Sequence, residues 1–294
     1  FECWAEAKEE LERNKKEIVE KELIKMIQSV SDWQVIEETL RDYSKGLLSK
    51  EQMEEEVAFY IGGIEKRTND VNFALVANTL PESAFKTNPA ELAKLIDSIN
   101  KDNPTFLIHL GNLIQGGSSK SGIIKNDVEK QLDSAKKEFS RFRSIAYFIP
   151  AEHDKFDDSF DLFNKRENHG EYFSFNYGTL HFIALNASNS GRIITEDQLI
   201  WLKSDIQKYK NSKIIIFVKI TFFAPPNTKT QTIAKPSEAH SIRLKYNVIA
   251  VISSESGSEY DINKDGVRHI NLPLPSIDDK RKKYDYYIIQ ILNG

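Results

Sequence analysis

The hydrophobic pattern changes period once, near Val71, and this change constrains the fold more than any other feature of the sequence. Before it, Trp4, Leu11, Ile18, Leu23, Ile27 and Val30 recur at helical spacings with Glu and Lys between them. After it come short apolar runs at 72–77 (NFALVA), 106–110 (FLIHL), 146–149 (AYFI), 180–185 (LHFIAL), 214–218 (IIIFV) and 248–252 (VIAVI). Apolarity at nearly every position, rather than at alternate ones, marks strands covered on both faces. Helices fall between several of these runs. Asn88-Pro89 opens one with Pro in the first turn, another spans about 124–142, and Thr195 with Gln198 caps a third carrying Leu199, Trp201, Leu202 and Ile206. Strands alternating with helices predict a layered α/β domain over 71–294. Near its end, Asn263-Lys264-Asp265-Gly266 reads as a turn before a strand over 267–272, and a last strand covers 284–292.

Residues 1–70 form a separate, N-terminal helical segment. Ser31 with Gln34 and Ser49 with Gln52 resemble capping boxes, while Gly46 and Gly62-Gly63 read as helix stops. The segment holds 18 acidic and 11 basic side chains, against 26 and 29 in the remainder. Apolar stripes and an opposite charge bias suit either a small bundle or docking on a second copy, which would give self-assembly.

The net charge of −4 gives no general pull toward nucleic acid. The single cysteine, Cys3, excludes an internal disulfide and a cysteine metal cluster, and leaves an unpaired thiol or an intermolecular link. No stretch approaches the ~20 apolar residues needed to span a bilayer. The first residue, Phe1, suits a processed or trimmed chain, with export or a cell-surface location slightly favoured.

In open α/β sheets, function gathers at the carboxyl ends of strands. Those ends read Ala77-Asn78-Thr79-Leu80, Gly111-Asn112-Leu113-Ile114-Gln115, Ala151-Glu152-His153-Asp154, Val218-Lys219-Ile220-Thr221 and Ser254-Glu255-Ser256-Gly257. In order and spacing they resemble the D-x-H, G-D-x-x-D, G-N-H-(D/E), G-H-x-P and G-H-x-H motifs of calcineurin-like metallophosphoesterases. Tyr172–Phe182 looks like the hairpin that follows the third motif in such enzymes. The resemblance covers about 71–292 and implies an αββα-type sandwich whose enzymes use two metal ions to bind phosphate and generate hydroxide.

The residues at the implied ligand positions tell against that chemistry. The D-x-H pair is Asn78 and Leu80, the bridging Asp is Asn112, the third-motif Asn is Glu152, the fourth-motif His is Lys219, and the last two His are Glu255 and Gly257. Neutral amides, a leucine, a glycine and a lysine do not supply the carboxylates and imidazoles that divalent ions need. His153 and Asp154 survive as vestiges, and the resemblance implies that this His aids the leaving group rather than binding metal. The other histidines (His109, His169, His181, His240, His269) form no H-x-H or H-x-x-x-H pair and read as surface or core residues.

The expectation is therefore a non-catalytic member acting as a binding, scaffold or self-assembling module, with no cofactor and with a protein partner. Three alternatives stand beside it: a weak or altered hydrolase, one weak oxygen-ligated divalent cation near Glu152, Asp154 and Glu255, and a sensor holding a phosphorylated ligand through Lys219. An ion pair between Lys219 and Glu152 or Glu255 is also expected. Asp261–Gly266 resembles half an EF-hand, but Leu272 stands where the closing Glu belongs. Gly116–Gly122 lacks the order of a phosphate loop, and Asn186-Ala187-Ser188 is a glycosylation-type tripeptide of little weight.

Overall fold

The computed structural model describes residues 39–50, 52, 53 and 57, and residues 70–292 apart from 168, 189–191, 235–238, 240, 242–245 and 275–283. Cys3, the apolar stripe from Trp4 to Val30, the Ser31 capping box and Gly62-Gly63 lie outside the described residues. The chain divides into two compact units. One comprises Val71–Ser174 and Leu180–Ile291, and the other Phe1–Asp70, Phe175–Thr179 and Leu292–Gly294.

In the second of these units the described residues bear out two local expectations. The Gln52 N–H donates to the Ser49 hydroxyl while Gln52 Oε1 accepts the Ser49 N–H at 2.9 Å, a reciprocal capping box. Gly46 takes a left-handed φ of 73°, and its N–H closes on the Tyr43 carbonyl. This is the stop expected of a glycine after a helix.

The described strands form two sheets. The first runs β10 (Tyr287–Leu292), β1 (Asp70–Val76), β2 (Phe106–His109), β3 (Ile145–Phe148). The second runs β4 (Phe173–Tyr177), β5 (Leu180–Leu185), β6 (Lys213–Val218), β7 (Val248–Ser253), β9 (Val267–Asn271), β8 (Tyr260–Lys264). Pairing is parallel along β1–β2–β3 and along β5–β6–β7–β9, and antiparallel between β8 and β9.

The uninterrupted apolar runs follow from the layering. On the inner faces Phe73 and Phe106 of the first sheet meet Phe182 and Phe217 of the second, with ring centroids 5.2–6.1 Å apart. On the outer face of the first sheet, Ala74, Val76 and Leu107 pack under helices α1 (Pro89–Asp102) and α2 (Lys125–Phe139). On the outer face of the second, Ile183, Leu185, Ile214 and Ile216 pack under α4 (Glu196–Lys208); a short helix α3 (Asp161–Asn164) precedes β4. Alternate residues thus point to two apolar environments, so nearly every position is hydrophobic. Thr195 caps α4 through the Gln198 N–H, as the sequence predicts.

One strand escapes the sequence pattern. Strand β8 is an edge strand whose charged residues Asp261 and Lys264 face solvent, so no apolar run announces it. Asp261, the first residue of the segment that resembles half an EF-hand, pairs with Arg268 across the β8–β9 hairpin. The turn between them has left-handed Asp265 and Gly266.

Candidate functional site

The loops after β1, β2, β3, β6 and β7 meet at one end of the two sheets, around a cleft of about 420 Å³. Of the motif positions, Asn78, Asn112, Glu152, His153, Lys219 and Glu255 line it. Leu80 does not line it; its carbonyl accepts the Tyr284 hydroxyl at 3.0 Å. Gly257 does not line it either. At φ 121° it passes so close to Thr230 that a Cβ would sit 2.5 Å from that hydroxyl, and no imidazole can be carried there without moving the loop.

Asn78 and Asn112 both occupy the left-handed region, at φ 56° and 55°. Asparagine tolerates it better than most side chains. Their amides are mutually engaged. Asn112 Nδ2 donates to Asn78 Oδ1 at 2.8 Å, Asn78 Nδ2 donates to the Leu274 carbonyl, and Asn112 Oδ1 accepts the His153 backbone N–H at 3.2 Å.

Lys219 enters from the end of β6. Its ammonium donates to Asn78 Oδ1 at 3.0 Å and to the Ser254 carbonyl at 2.5 Å. Burial pulls its pKa down to about 8, while the fields of Glu255 and Asp154 oppose the fall. The ion pair expected with Glu152 or Glu255 does not form. Glu152 is exposed and turns to Lys155, 3.1 Å away, and Glu255 accepts from the Ser256 hydroxyl at 2.9 Å. Neutral oxygens deeper in the fold receive the ammonium instead.

Asp154 is buried behind the loops rather than in the cleft. Its carboxylate accepts backbone N–H groups of Asn112 (2.8 Å), Leu113 (2.7 Å), Ile114 (3.1 Å) and Ala151 (2.8 Å). Burial raises its pKa to about 6, with the four donors pulling the other way. It clamps the β2 loop to the β3 loop. His153 presents its Nδ1 3.3 Å from the Gln115 carbonyl.

His109 lies beneath the site as a neutral core residue. It accepts the Gly111 N–H on Nδ1 and shares a proton with Thr79 Oγ1, and burial lowers its pKa to about 3, with Lys219 adding to the effect. In the glycine-rich loop, the Ser119 N–H and hydroxyl both go to Asp157 at 2.7 Å, so those donors serve the loop itself. Asn186 is buried, with its amide donating to Glu171 at 2.8 Å.

Sequence reasoning missed Ser188, Arg192 and Gln231, which complete the cleft wall. Arg192 donates to Gln231 Oε1 at 2.7 Å, joining two loops far apart in the chain. No motif marks Arg192 or Gln231, and Ser188 stood out only as the end of a glycosylation-type tripeptide, which says nothing of a cleft.

A model of the calcineurin-like phosphoesterases matches residues 86–254, more than half of the chain. The chain belongs to the calcineurin-like phosphoesterase family. Solved structures with similar folds agree. A dimetal phosphatase from Danio rerio is 11% identical with a TM-score of 0.51, over 70% of this chain and 87% of that one. GAP50, the anchor in the inner membrane complex of Plasmodium, is 14% identical with a TM-score of 0.53, over 77% and 82%. Purple acid phosphatase PPD1 from yellow lupin seeds is 11% identical with a TM-score of 0.50, over 69% and 44%. A comparison with curated protein sequences found no match.

Calcineurin-like phosphoesterases imply a metal centre, which the donors present do not fit. Asn78 Oδ1 already accepts from Asn112 and Lys219, and an ammonium stands in the same polar cluster. Among the described residues, no three His, Cys, Asp or Glu side chains are grouped to hold a metal ion. Among the described residues, no helix is long and apolar enough to cross a membrane.

Proposed function

We propose that this calcineurin-like phosphoesterase acts without catalysis, as a binding or scaffold module. The observation that carries the reading is the Lys219 ammonium bonded to Asn78 at the convergence of the five loops. A cation fixed there by hydrogen bonds to neutral oxygens opposes the entry of a divalent ion by direct repulsion. With no activated water, His153 has nothing to protonate. A role without catalysis is compatible with the fold, since one of the structural neighbours is described as an anchor. In this reading the acidic segment 1–70 supplies the contact with a protein partner or a second copy, and 71–294 the platform.

The test is metal analysis of the purified full chain, with phosphomonoester and phosphodiester assays in added Mn²⁺. The expected result is substoichiometric metal and no chelator-sensitive turnover. Stoichiometric metal with turnover abolished by a chelator overturns the proposal. Light scattering over a wide concentration range, on the full chain, tests self-assembly.

A further inference from the structure

Lys219 is the one cleft residue whose surroundings suit covalent rather than ionic chemistry. Its ammonium has two protein acceptors, Asn78 Oδ1 and the Ser254 carbonyl, and both are neutral. A tetrahedral nitrogen bonded to Cε and pointing two N–H bonds at two acceptors has one direction left. In the ammonium form that direction holds a third proton without a protein partner. In the neutral amine it holds the lone pair. Loss of the proton therefore costs neither hydrogen bond, and the freed lone pair is not spent on the protein. Lys219 is also part of the cleft wall, although the residue is 94% buried by its 6% relative exposure.

The rest of the wall adds a second, independent observation. Ser188 is buried to 1% exposure, and its hydroxyl has no hydrogen-bond partner, although it borders the same cleft. A buried hydroxyl left without a partner costs free energy that a ligand oxygen would recover. The charge around the cleft is graded. Glu152 is balanced by Lys155, whereas the hydrogen bond of Arg192 goes to the neutral Gln231 amide, which leaves the guanidinium charge available. Glu255 contributes the opposing negative field.

We propose that Lys219 is a covalent attachment site for a small aldehyde carrying an anionic group, which it holds as an imine. The neutral ε-amine adds to the carbonyl carbon to give a carbinolamine. Its hydroxyl then leaves as water, with the nitrogen's two protons accounting for the hydrogens lost. Amine and aldehyde give imine and water, with no oxidant or reductant required. The imine so formed carries no hydrogen on nitrogen; a proton taken up from solvent gives the protonated imine, whose one N–H serves Asn78 or Ser254. Arg192 takes the anionic substituent, and Ser188 takes a polar oxygen of the ligand. Desolvation supplies the free amine. With its pKa at about 8 rather than 10.5, the neutral fraction near pH 7.5 rises on the order of 100-fold over an exposed lysine. The inference stands apart from the absence of phosphoesterase turnover, because imine formation needs no metal.

The experiment treats the full chain with equimolar pyridoxal 5′-phosphate, reduces with cyanoborohydride and maps the modified peptides by mass spectrometry. The expected result is labelling of Lys219 at least about tenfold above exposed Lys86 and Lys120, given the gain in free amine. Pyridoxal without the phosphate labels Lys219 less, and Arg192→Gln reduces the difference between the two probes. Label spread evenly over the exposed lysines of the unmodified sequence overturns the proposal, and this measurement needs no variant to fold. Lysine labelling at Lys219 that is equal for the two probes overturns the anionic part.

Discussion

The ε-amine of Lys219 lies 3.0 Å from Asn78 Oδ1, so the end of β6 is tied to the loop after β1 by a single side chain. Its second bond, to the Ser254 carbonyl, brings in the loop after β7. Because burial lowers the pKa to about 8, the folded chain binds this proton less tightly than the unfolded chain does. Between pH 8 and the unfolded value near 10.5 the unfolded state therefore holds more protons, and stability rises with pH. Relative to Lys219→Met, the wild type gains roughly 2 kcal/mol between pH 7.5 and 9.5. Urea unfolding of both proteins at the two pH values measures it. A flat difference, or one of opposite sign, contradicts the buried ammonium.

Asp154 carries a different kind of load, four backbone N–H groups on one carboxylate. Asp154→Ala leaves those donors buried without acceptors and separates the β2 and β3 loops. The expected loss is about 3 kcal/mol or more, at or above the top of the ~1–3 kcal/mol range for one unsatisfied buried group, because four donors are stripped together. Thermal unfolding gives the value. A change below about 1 kcal/mol would mean that water replaces the carboxylate freely.

Gly111 sits between those two clamps. At φ 77° an added Cβ would stand 2.3 Å from Ala151 Cβ and 2.8 Å from the Ala151 nitrogen. Backbone cannot yield as a flexible side chain does. Gly111→Ala therefore costs about 3 kcal/mol or more from left-handed strain plus overlap. The check is the midpoint of denaturant unfolding, and wild-type stability in this variant rejects the close approach.

What the sequence disclosed depended on the kind of interaction. Apolar runs such as 180–185 and 214–218 identified β5 and β6 because burial on both faces leaves a one-dimensional signal. Strand β8 left none, since an edge strand needs only alternate burial. The five strand ends located the cleft, and the residue types at 78, 112 and 219 were legible without coordinates. Partner choice was not. Lys219 was expected beside a carboxylate, yet the exposed carboxylate of Glu152 turns to the buried Lys155, and the Lys219 ammonium meets oxygens brought by loop geometry. Ser188, Arg192 and Gln231 belong to the wall only through the return of distant loops, which no local pattern encodes.

The same geometry decides how far activity can be restored by reversion. Asn112→Asp returns a carboxylate to the bridging position, but it replaces the Nδ2 donor that holds Asn78 Oδ1 with an oxygen facing that oxygen. The lost bond and the new repulsion cost about 1–3 kcal/mol. Lys219 still stands in the cluster, Leu80 still has no lone pair, and Gly257 still has no room for a side chain beside Thr230. The single variant is expected to show a lowered unfolding midpoint, no stoichiometric Mn²⁺ by calorimetric titration and no phosphodiester hydrolysis. Combining Asn78→Asp, Asn112→Asp and Lys219→His removes the repelling charge and supplies three donors of the kind divalent ions accept. That combination is expected to bind one Mn²⁺ weakly. Tight binding or turnover by Asn112→Asp alone would show that the lysine does not exclude the metal, and would return the chain to the hydrolases.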